Sequence, residues 1–528
     1  MIFPASTGNG HFRRQSWYNI SVNFLIKHRL EIFILAVLIL GFFILRLPNL
    51  TLQPIFADEA IYIRWAQVIK AEQTLRFLPL SDGKTPLFMW AMVPFFKIIA
   101  DPLLAGRFLS VMSGFFTLLG VFFLSKRIFN TRTAFWAGLL YVITPYTVFF
   151  DRMALVDSML SAFTVWVVYF ALWLTRSLRL DISMVLGYLL GGAVLTKTPG
   201  MLNFFLVPLT LIGFKKDKGS GHSLVKLAVL WGAATSIGLV IYNLLRLGPN
   251  FQLLSSRNSD YIFSPLELAG RPLDPFIPHF HDIADWFPKL LTWPILLCLI
   301  LGIGYIIFGL FRQSFRGQYL QRLVILLWAV IPLILNMAFL RTFTARYLLS
   351  SIPLLLIIAG FGVTKLLPPF AYIKKLPLFL MLIVLLPLPL YFDYYLLTSP
   401  GKAPLPIEER RGYFEQWTAG YGFSDIAKYL IEKSKTRKVV LGTSGFFGTL
   451  PDGIQIYLDK ADVRIVGSSA TISAQVRNAS KENLTYFLGN KNDLADKIKG
   501  IILIKEYPKL KPLDSLQDAT VLYEVLPE

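Results

Sequence analysis

Apolar runs long enough to cross a lipid bilayer recur along the first three quarters of the chain, separated by loops of which several short ones carry clusters of Lys and Arg. A hydrocarbon core about 30 Å thick takes about 20 residues of helix, and unpaired backbone is not tolerated inside it. Eleven runs fit that description, near residues 30–47, 105–125, 133–150, 157–175, 183–197, 199–214, 224–246, 288–312, 321–340, 346–366 and 376–397. The expected fold is mainly α, a polytopic bundle of about eleven spans. Composition agrees. Only 16% of residues are charged, against about a quarter in soluble domains, which excludes an ordinary soluble protein. The 44 Phe and 11 Trp exclude disorder, because such a chain has ample apolar surface to bury. A single cysteine, Cys298, excludes an internal disulfide and a Cys-based metal site.

The net charge of +20 raises the question of nucleic acid. That partner needs a basic patch on a folded surface, whereas these basic residues punctuate apolar runs, so the membrane is the expected partner and nucleic acid is not. Basic clusters mark loops that resist translocation. They fall at Lys126, Arg127 and Arg132; Arg176 and Arg179; Lys215, Lys216, Lys218 and Lys226; Arg312, Arg316 and Arg322; and Lys365, Lys374 and Lys375. With these loops inside, the N-terminal segment 1–29 is cytoplasmic and the protein sits multi-pass in the plasma membrane. The stretch Pro86 to Ala100, broken by Pro94, then reads as re-entrant or interfacial.

This threading leaves three large pieces outside: residues 48–104, residues 247–287 and everything after about residue 398. The core is 30–398. The final piece, 399–528, has more charge and shorter branched runs, and reads as an α/β extracytoplasmic domain. Strands are expected at Lys438 to Gly442, Ile454 to Leu458, Val463 to Val466 and Ile501 to Ile504, with helices at Phe423 to Lys433 and Asn492 to Lys499.

Ionisable residues gather at the outer ends of the spans. After the first run comes Phe56-Ala57-Asp58-Glu59-Ala60-Ile61, opening a helix with Ile61, Trp65, Val68 and Ile69 on one face, an amphipathic interfacial helix. Asp58 either caps that helix or acts chemically. The same loop continues Ser81-Asp82-Gly83-Lys84-Thr85-Pro86. Later outer turns hold Asp151, Arg152 and Asp157, then Lys197, then Arg341 to Tyr347 with Arg346. Charges at headgroup depth are costly unless paired or wet, which makes them functional candidates, although any single Lys or Arg there also serves as a snorkelling anchor. Pro278-His279-Phe280-His281-Asp282 has donors for a divalent ion, but a wet juxtamembrane loop without metal is the preferred reading.

One span, a loop with adjacent Asp-Glu before an amphipathic helix, a Lys-Pro-Pro-Leu-like segment, a second-loop acid and a late Arg-Tyr-Leu occur here in that order. The chain thereby resembles, over roughly residues 30–366, the polytopic glycosyltransferases of the GT-C type that use polyprenyl-phosphate sugars, namely protein O-mannosyltransferases and lipid A aminoarabinose transferases. The resemblance implies a sugar transferase with a polyprenyl-phosphate sugar as donor and a glycan, lipid or protein as acceptor, in cell-envelope glycosylation. Residue by residue, it places Asp58 at the catalytic aspartate, Glu59 beside it and Asp157 at the second-loop acid. Lys84 and Arg346 fall at cations near the donor phosphate, and Arg152 and Lys197 join them as candidate phosphate contacts. Two positions depart from the pattern. Lys-Pro-Pro reads Lys84-Thr85-Pro86, and an acid or His that often precedes the Lys is Gly83, which leaves a divalent metal an open question.

Transfer to a hydroxyl needs a base within hydrogen-bond reach of the acceptor, and Asp58 is the best placed carboxylate. The leaving phosphate gathers charge, which Lys84 and Arg346 are suited to stabilise. Two other classes stay open: a transporter of lipid-linked sugars, expected to carry charges near the midplane, and a non-catalytic anchor with an envelope-binding outer domain.

Overall fold

The computed structural model describes residues 10–214, 220–312, 316–367, 375–469, 471–494, 500–513 and 516–527. All eleven apolar runs fall on helix, from Gly10–Arg46 to the pair Lys375–Leu385 and Pro387–Thr398. The chain is a multi-pass membrane protein. Six helices are long and apolar enough to cross singly, and two pairs, bent by 59° and 43°, bring the number to eight among the described residues. The other three expected spans, Leu180–Thr196, Thr198–Gly213 and Ile352–Leu366, are shorter. The last is buried along Ile352 to Thr364, so its surroundings are protein and it need not match the bilayer in length. Its Gly362 lies against the Trp293–Leu310 helix so closely that a Cβ would stand 2.0 Å from the Cys298 carbonyl oxygen. Small residues permit such backbone contact between helices in lipid.

The stretch read as re-entrant is a short helix, Leu87–Met92, passing at Pro94 into a single 3₁₀ segment, Val93–Lys97. The piece 247–287, expected outside, forms several short helices and then the amphipathic helix Phe276–Leu290.

The C-terminal domain carries a five-stranded mixed sheet. Its strands are β3 (Val439–Ser444), β4 (Val463–Ser468), β5 (Leu484–Asn490), β6 (Ile501–Pro508) and β7 (Ala519–Val525), in the order β4-β3-β5-β7-β6. β3 is parallel to β4 and β5, and β7 is antiparallel to β5 and β6. Three of the four expected strands form. Ile454 to Leu458 is instead the helix Asp452–Leu458, which packs between the helices Ala57–Ala71 and Phe423–Ser434 and so buries Ile454, Ile456 and Leu458 on more than one side. β5 and β7 were not foreseen. The helix Phe423–Ser434 matches expectation, whereas Asn492 to Lys499 begins as a 3₁₀ turn, Lys491–Asp493, and its residues 495–499 lie outside the described residues.

The domain is sewn to the membrane part by a two-residue antiparallel ladder. β1 (Ile55–Phe56) pairs with β2 (Ala419–Gly420), directly before the helix that carries Asp58.

Candidate active site at the membrane surface

A buried ionic frame holds together the ends of the first spans on the side that carries Asp58. Arg46, the last residue of the first helix, donates to Asp151 Oδ2 at 3.0 Å and to the carbonyls of Val142 and Tyr141 at the bend between Thr131–Ile143 and Pro145–Asp151. Tyr141 and Ser158 hydroxyls complete the Asp151 carboxylate at 2.9 Å each. Arg152 donates to the carbonyls of Arg46, Pro48 and Asn49, closing the C-terminus of the first helix. Such termini leave carbonyls without partners, and a guanidinium satisfies several at once. The expected phosphate role of Arg152 is therefore corrected: its donors hold backbone, and its charged neighbours are Arg46, Arg107 and Asp393.

Glu59 belongs to the same frame. It is fully buried, forms a two-point contact with Arg107 at 2.7 and 2.8 Å, and accepts from the backbone N–H of Ala154 at 2.7 Å and of Phe56 at 3.0 Å. Glu59, not Asp58, thus caps the helix Ala57–Ala71, and its carboxylate has no capacity left for a reacting group. Arg107 in turn gathers the carbonyls of Leu50, Gln53 and Pro54. No motif marks Arg107, and the one signal for it is a lone charge inside an apolar run.

The Ala57–Ala71 helix also departs from an interfacial reading. Ile61, Tyr62, Ile63, Trp65 and Ala66 are all buried, and the polar side of the helix meets the C-terminal domain. Gln67 donates to the Ile456 carbonyl at 2.8 Å, and Arg64 pairs with Asp459 at 2.6 Å. The polar face that looked solvated is the face that receives the domain.

With the cap supplied by Glu59, Asp58 is released to face the cations. Its Oδ2 lies 2.6 Å from Arg346 Nη1 and its Oδ1 3.7 Å from Lys84 Nζ. Lys84 is also 3.3 Å from Asp82, whose other oxygen meets Arg257 at 2.7 Å. Lys197 pairs with Asp157 at 2.6 Å, and its ammonium stands 4.1 Å from the ring centroid of Tyr347, the neighbour of Arg346. Aromatic faces line the rest: Tyr62 and Trp65 against Lys84, and Phe56 against Arg346. Five of the seven residues expected at the site, Asp58, Asp157, Lys84, Arg346 and Lys197, come together from four separate loops. Gly83 is explained by backbone: its φ is +66°, and a Cβ would stand 2.8 Å from Arg257 Cβ. An acid or His there would be strained and crowded, and Asp82 supplies the carboxylate beside Lys84 instead.

The electrostatics follow from this packing. Burial disfavours the charged form of Asp58, yet Arg346 and then Lys84 outweigh it and hold the carboxyl at about 2. Burial likewise opposes the Arg346 charge, and Asp58 more than restores it. Glu409, near the start of the C-terminal domain, behaves oppositely. It is buried, accepts from the Ala345 N–H at 2.8 Å, and burial pushes it up to about 7 because that N–H and Arg346 offset only part of the desolvation. Tyr413 packs its ring on Phe56 and Phe149. The C-terminal segment therefore forms part of the site wall, a contribution that no local motif announced.

The histidine segment is placed otherwise than a metal site requires. His279 Nδ1 lies 2.9 Å from the Met337 carbonyl oxygen and its ring stacks on Phe343 at 4.3 Å, while His281 is set against Phe280. Among the described residues no group of three or more His, Cys, Asp or Glu is arranged to hold an ion.

Residues 83–243 match the family described as dolichyl-phosphate-mannose-protein mannosyltransferase. No curated protein is matched by its sequence. Among solved structures, the chain is similar to ArnT from Cupriavidus metallidurans in the apo state, with 16% identity, 94% of this chain and 98% of that one covered, and a TM-score of 0.55. The same protein bound to undecaprenyl phosphate gives 16% identity, the same coverage and a TM-score of 0.54. The archaeal oligosaccharyltransferase AglB from Archaeoglobus fulgidus, in complex with an inhibitory peptide and a dolichol-phosphate, gives 12% identity, 88% and 70% coverage, and a TM-score of 0.52. These comparisons bear out the resemblance read from the short motifs: the fold is that of the GT-C glycosyltransferases.

Proposed function

We propose that the chain moves a sugar from a polyprenyl-phosphate carrier to an acceptor hydroxyl, with Asp58 as general base, on the extracytoplasmic face of the plasma membrane and with the N-terminus in the cytoplasm. The observation that carries this reading is the convergence of Arg346 and Lys84 on one carboxylate at the membrane surface. It is supported by the bound lipid phosphates of ArnT and AglB, two proteins of the same fold.

In the free protein a carboxyl held at about 2 is a poor base near neutrality. A donor phosphate entering between Arg346 and Lys84 takes over those cations, so the carboxylate loses its stabilising partners and gains proton affinity when substrate is present. The acceptor oxygen then attacks the anomeric carbon. The new C–O bond forms as the bond to the phosphate oxygen breaks, the acceptor proton passes to Asp58, and the charge left on the phosphate is met by the guanidinium and the ammonium. A single displacement of this kind inverts the anomeric configuration. Lys197 and Asp157 hold the Tyr347 side of the cation group and define a second point for the phosphate. The donor needs no metal in this scheme, since the charge is balanced by Arg and Lys.

The test incubates the purified protein with a panel of polyprenyl-phosphate sugars and scores released polyprenyl phosphate by mass spectrometry. Release with at least one donor, abolished by Asp58→Asn, supports the reading. No release with any donor favours the transporter of lipid-linked sugars.

A further inference from the structure

The C-terminal domain contains a cavity of about 430 Å³ that the proposed chemistry does not use. It opens at the carboxyl ends of the parallel strands β3 and β4, where Ser444 and Ser468 end their strands. Open α/β sheets bind ligands in that position, and the volume lies in the range of small-ligand sites. The turn Gly445-Phe446-Phe447-Gly448, with both glycines at φ near +106°, carries two aromatic rings out of the fold at its rim. Phe446 is 74% exposed, Phe447 49% and Trp417, which also lines the cavity, 55%. Single exposed aromatics are unremarkable, but three around one hollow call for a partner with apolar faces. A further hollow of about 330 Å³ shares Trp417 and Asp493 with the first, so the indole stands between two compartments.

The polar lining narrows the class of ligand. Ser444, Ser468, Ser469 and Asn490 give the lining short neutral side chains; the Asn490 amide donates to Asp493 at 2.9 Å and accepts from Lys509 at 2.7 Å, which leaves the serine hydroxyls as the groups a ligand meets. Thr449 also lines the cavity and is 3% exposed. No Lys or Arg lines the cavity, and its one charged residue is Asp493, which opposes a phosphate or other anion. Apolar ring faces for stacking, neutral hydrogen-bonding groups and no cation are complementary to a neutral sugar, whose C–H faces stack on aromatic rings and whose hydroxyls bond at the edges.

We propose that this cavity binds the carbohydrate portion of the acceptor. Two links tie it to the site at Asp58. The Phe447 ring lies 6.0 Å from that of Trp65, which in turn faces Lys84. Trp417 immediately precedes the segment whose β2 pairs with β1, the strand that leads into Asp58. The proposal rests on the transfer reaction only for the identification of the bound sugar as acceptor.

The test titrates the full-length protein, in a detergent without a sugar headgroup, with cellotetraose, maltotetraose and mannotetraose, and follows ligand protons by saturation-transfer NMR. Saturable binding of at least one is expected, weakened about tenfold or more by Phe446→Ala, and unchanged by Asp58→Asn. Phe446 is exposed, so its truncation leaves the core untouched. No saturable binding of any of the three overturns the proposal, as does binding that survives Phe446→Ala combined with Trp417→Ala, or that inorganic phosphate displaces. Binding that persists while no donor is ever cleaved leaves the carbohydrate site standing and removes the transfer reaction, so the two failures are told apart.

Discussion

Replacing Asp58 by Asn separates the two things this carboxylate does, because the amide keeps its shape while losing its charge and its proton affinity. In the free protein the carboxyl lies at about 2 against an ordinary 3.8. At 1.36 kcal/mol per pKa unit, that difference corresponds to about 2 kcal/mol of net attraction to Arg346 and Lys84, with the opposing effect of burial already included. Coupling is reciprocal, so a phosphate that competes for the same cations must overcome up to that amount. Asp58→Asn removes the competitor. Polyprenyl phosphate is then expected to bind more tightly, by roughly 10- to 30-fold, while the loss of the base lowers turnover by about 10²- to 10⁴-fold. Binding is measured by titrating purified protein with polyprenyl phosphate, and chemistry by single-turnover release from a polyprenyl-phosphate sugar. Release within about tenfold of the unsubstituted protein refutes the role of Asp58 as base. Weaker lipid-phosphate binding refutes the competition for Arg346 and Lys84.

Three further outcomes follow from the same contacts. Lys84→Ala and Arg346→Ala each remove a cation from the donor site and are expected to weaken donor use by about 10- to 100-fold, since a hydrogen bond to a charged group contributes about 1.5–3 kcal/mol; an unchanged dependence of rate on donor concentration would count against their phosphate role. Glu59→Leu leaves Arg107 charged and buried without its partner, and a loss of about 3–5 kcal/mol, read as a lower melting temperature in detergent, is expected even though the residue adjoins the proposed base. Glu409 lies at about 7 in the folded protein against an ordinary 4.5. The unfolded chain therefore loses this proton first as pH rises, the folded state binds more protons between those two values, and stability falls across that window by about 3 kcal/mol. Glu409→Gln should flatten that part of the stability profile, and an unaltered slope in thermal unfolding between pH 4.5 and 7 would show that the group is not buried as described.

Sequence alone determined the class of the protein, because lipid allows few solutions. Apolar length, helix and the absence of unpaired backbone are coupled by the bilayer, so each of the eleven runs became helix. It also picked out most of the cation group, since Asp58, Asp157, Lys84, Lys197 and Arg346 are conspicuous charges at the ends of apolar runs. Tertiary structure decided which charge does what. Asp58 and Glu59 are adjacent and chemically alike, yet Arg107 from another helix engages one, while Arg346 from a distant turn engages the other. Arg152 and Arg346 are alike in sequence setting, but one meets three carbonyls and the other a carboxylate. The polar side of the Ala57–Ala71 helix looked like a face for water because its cover, the Asp452–Leu458 helix, lies nearly 400 residues away. Local periodicity reports only that a face is polar; what touches it is set by contacts between segments far apart in the chain, and those depend on the whole fold.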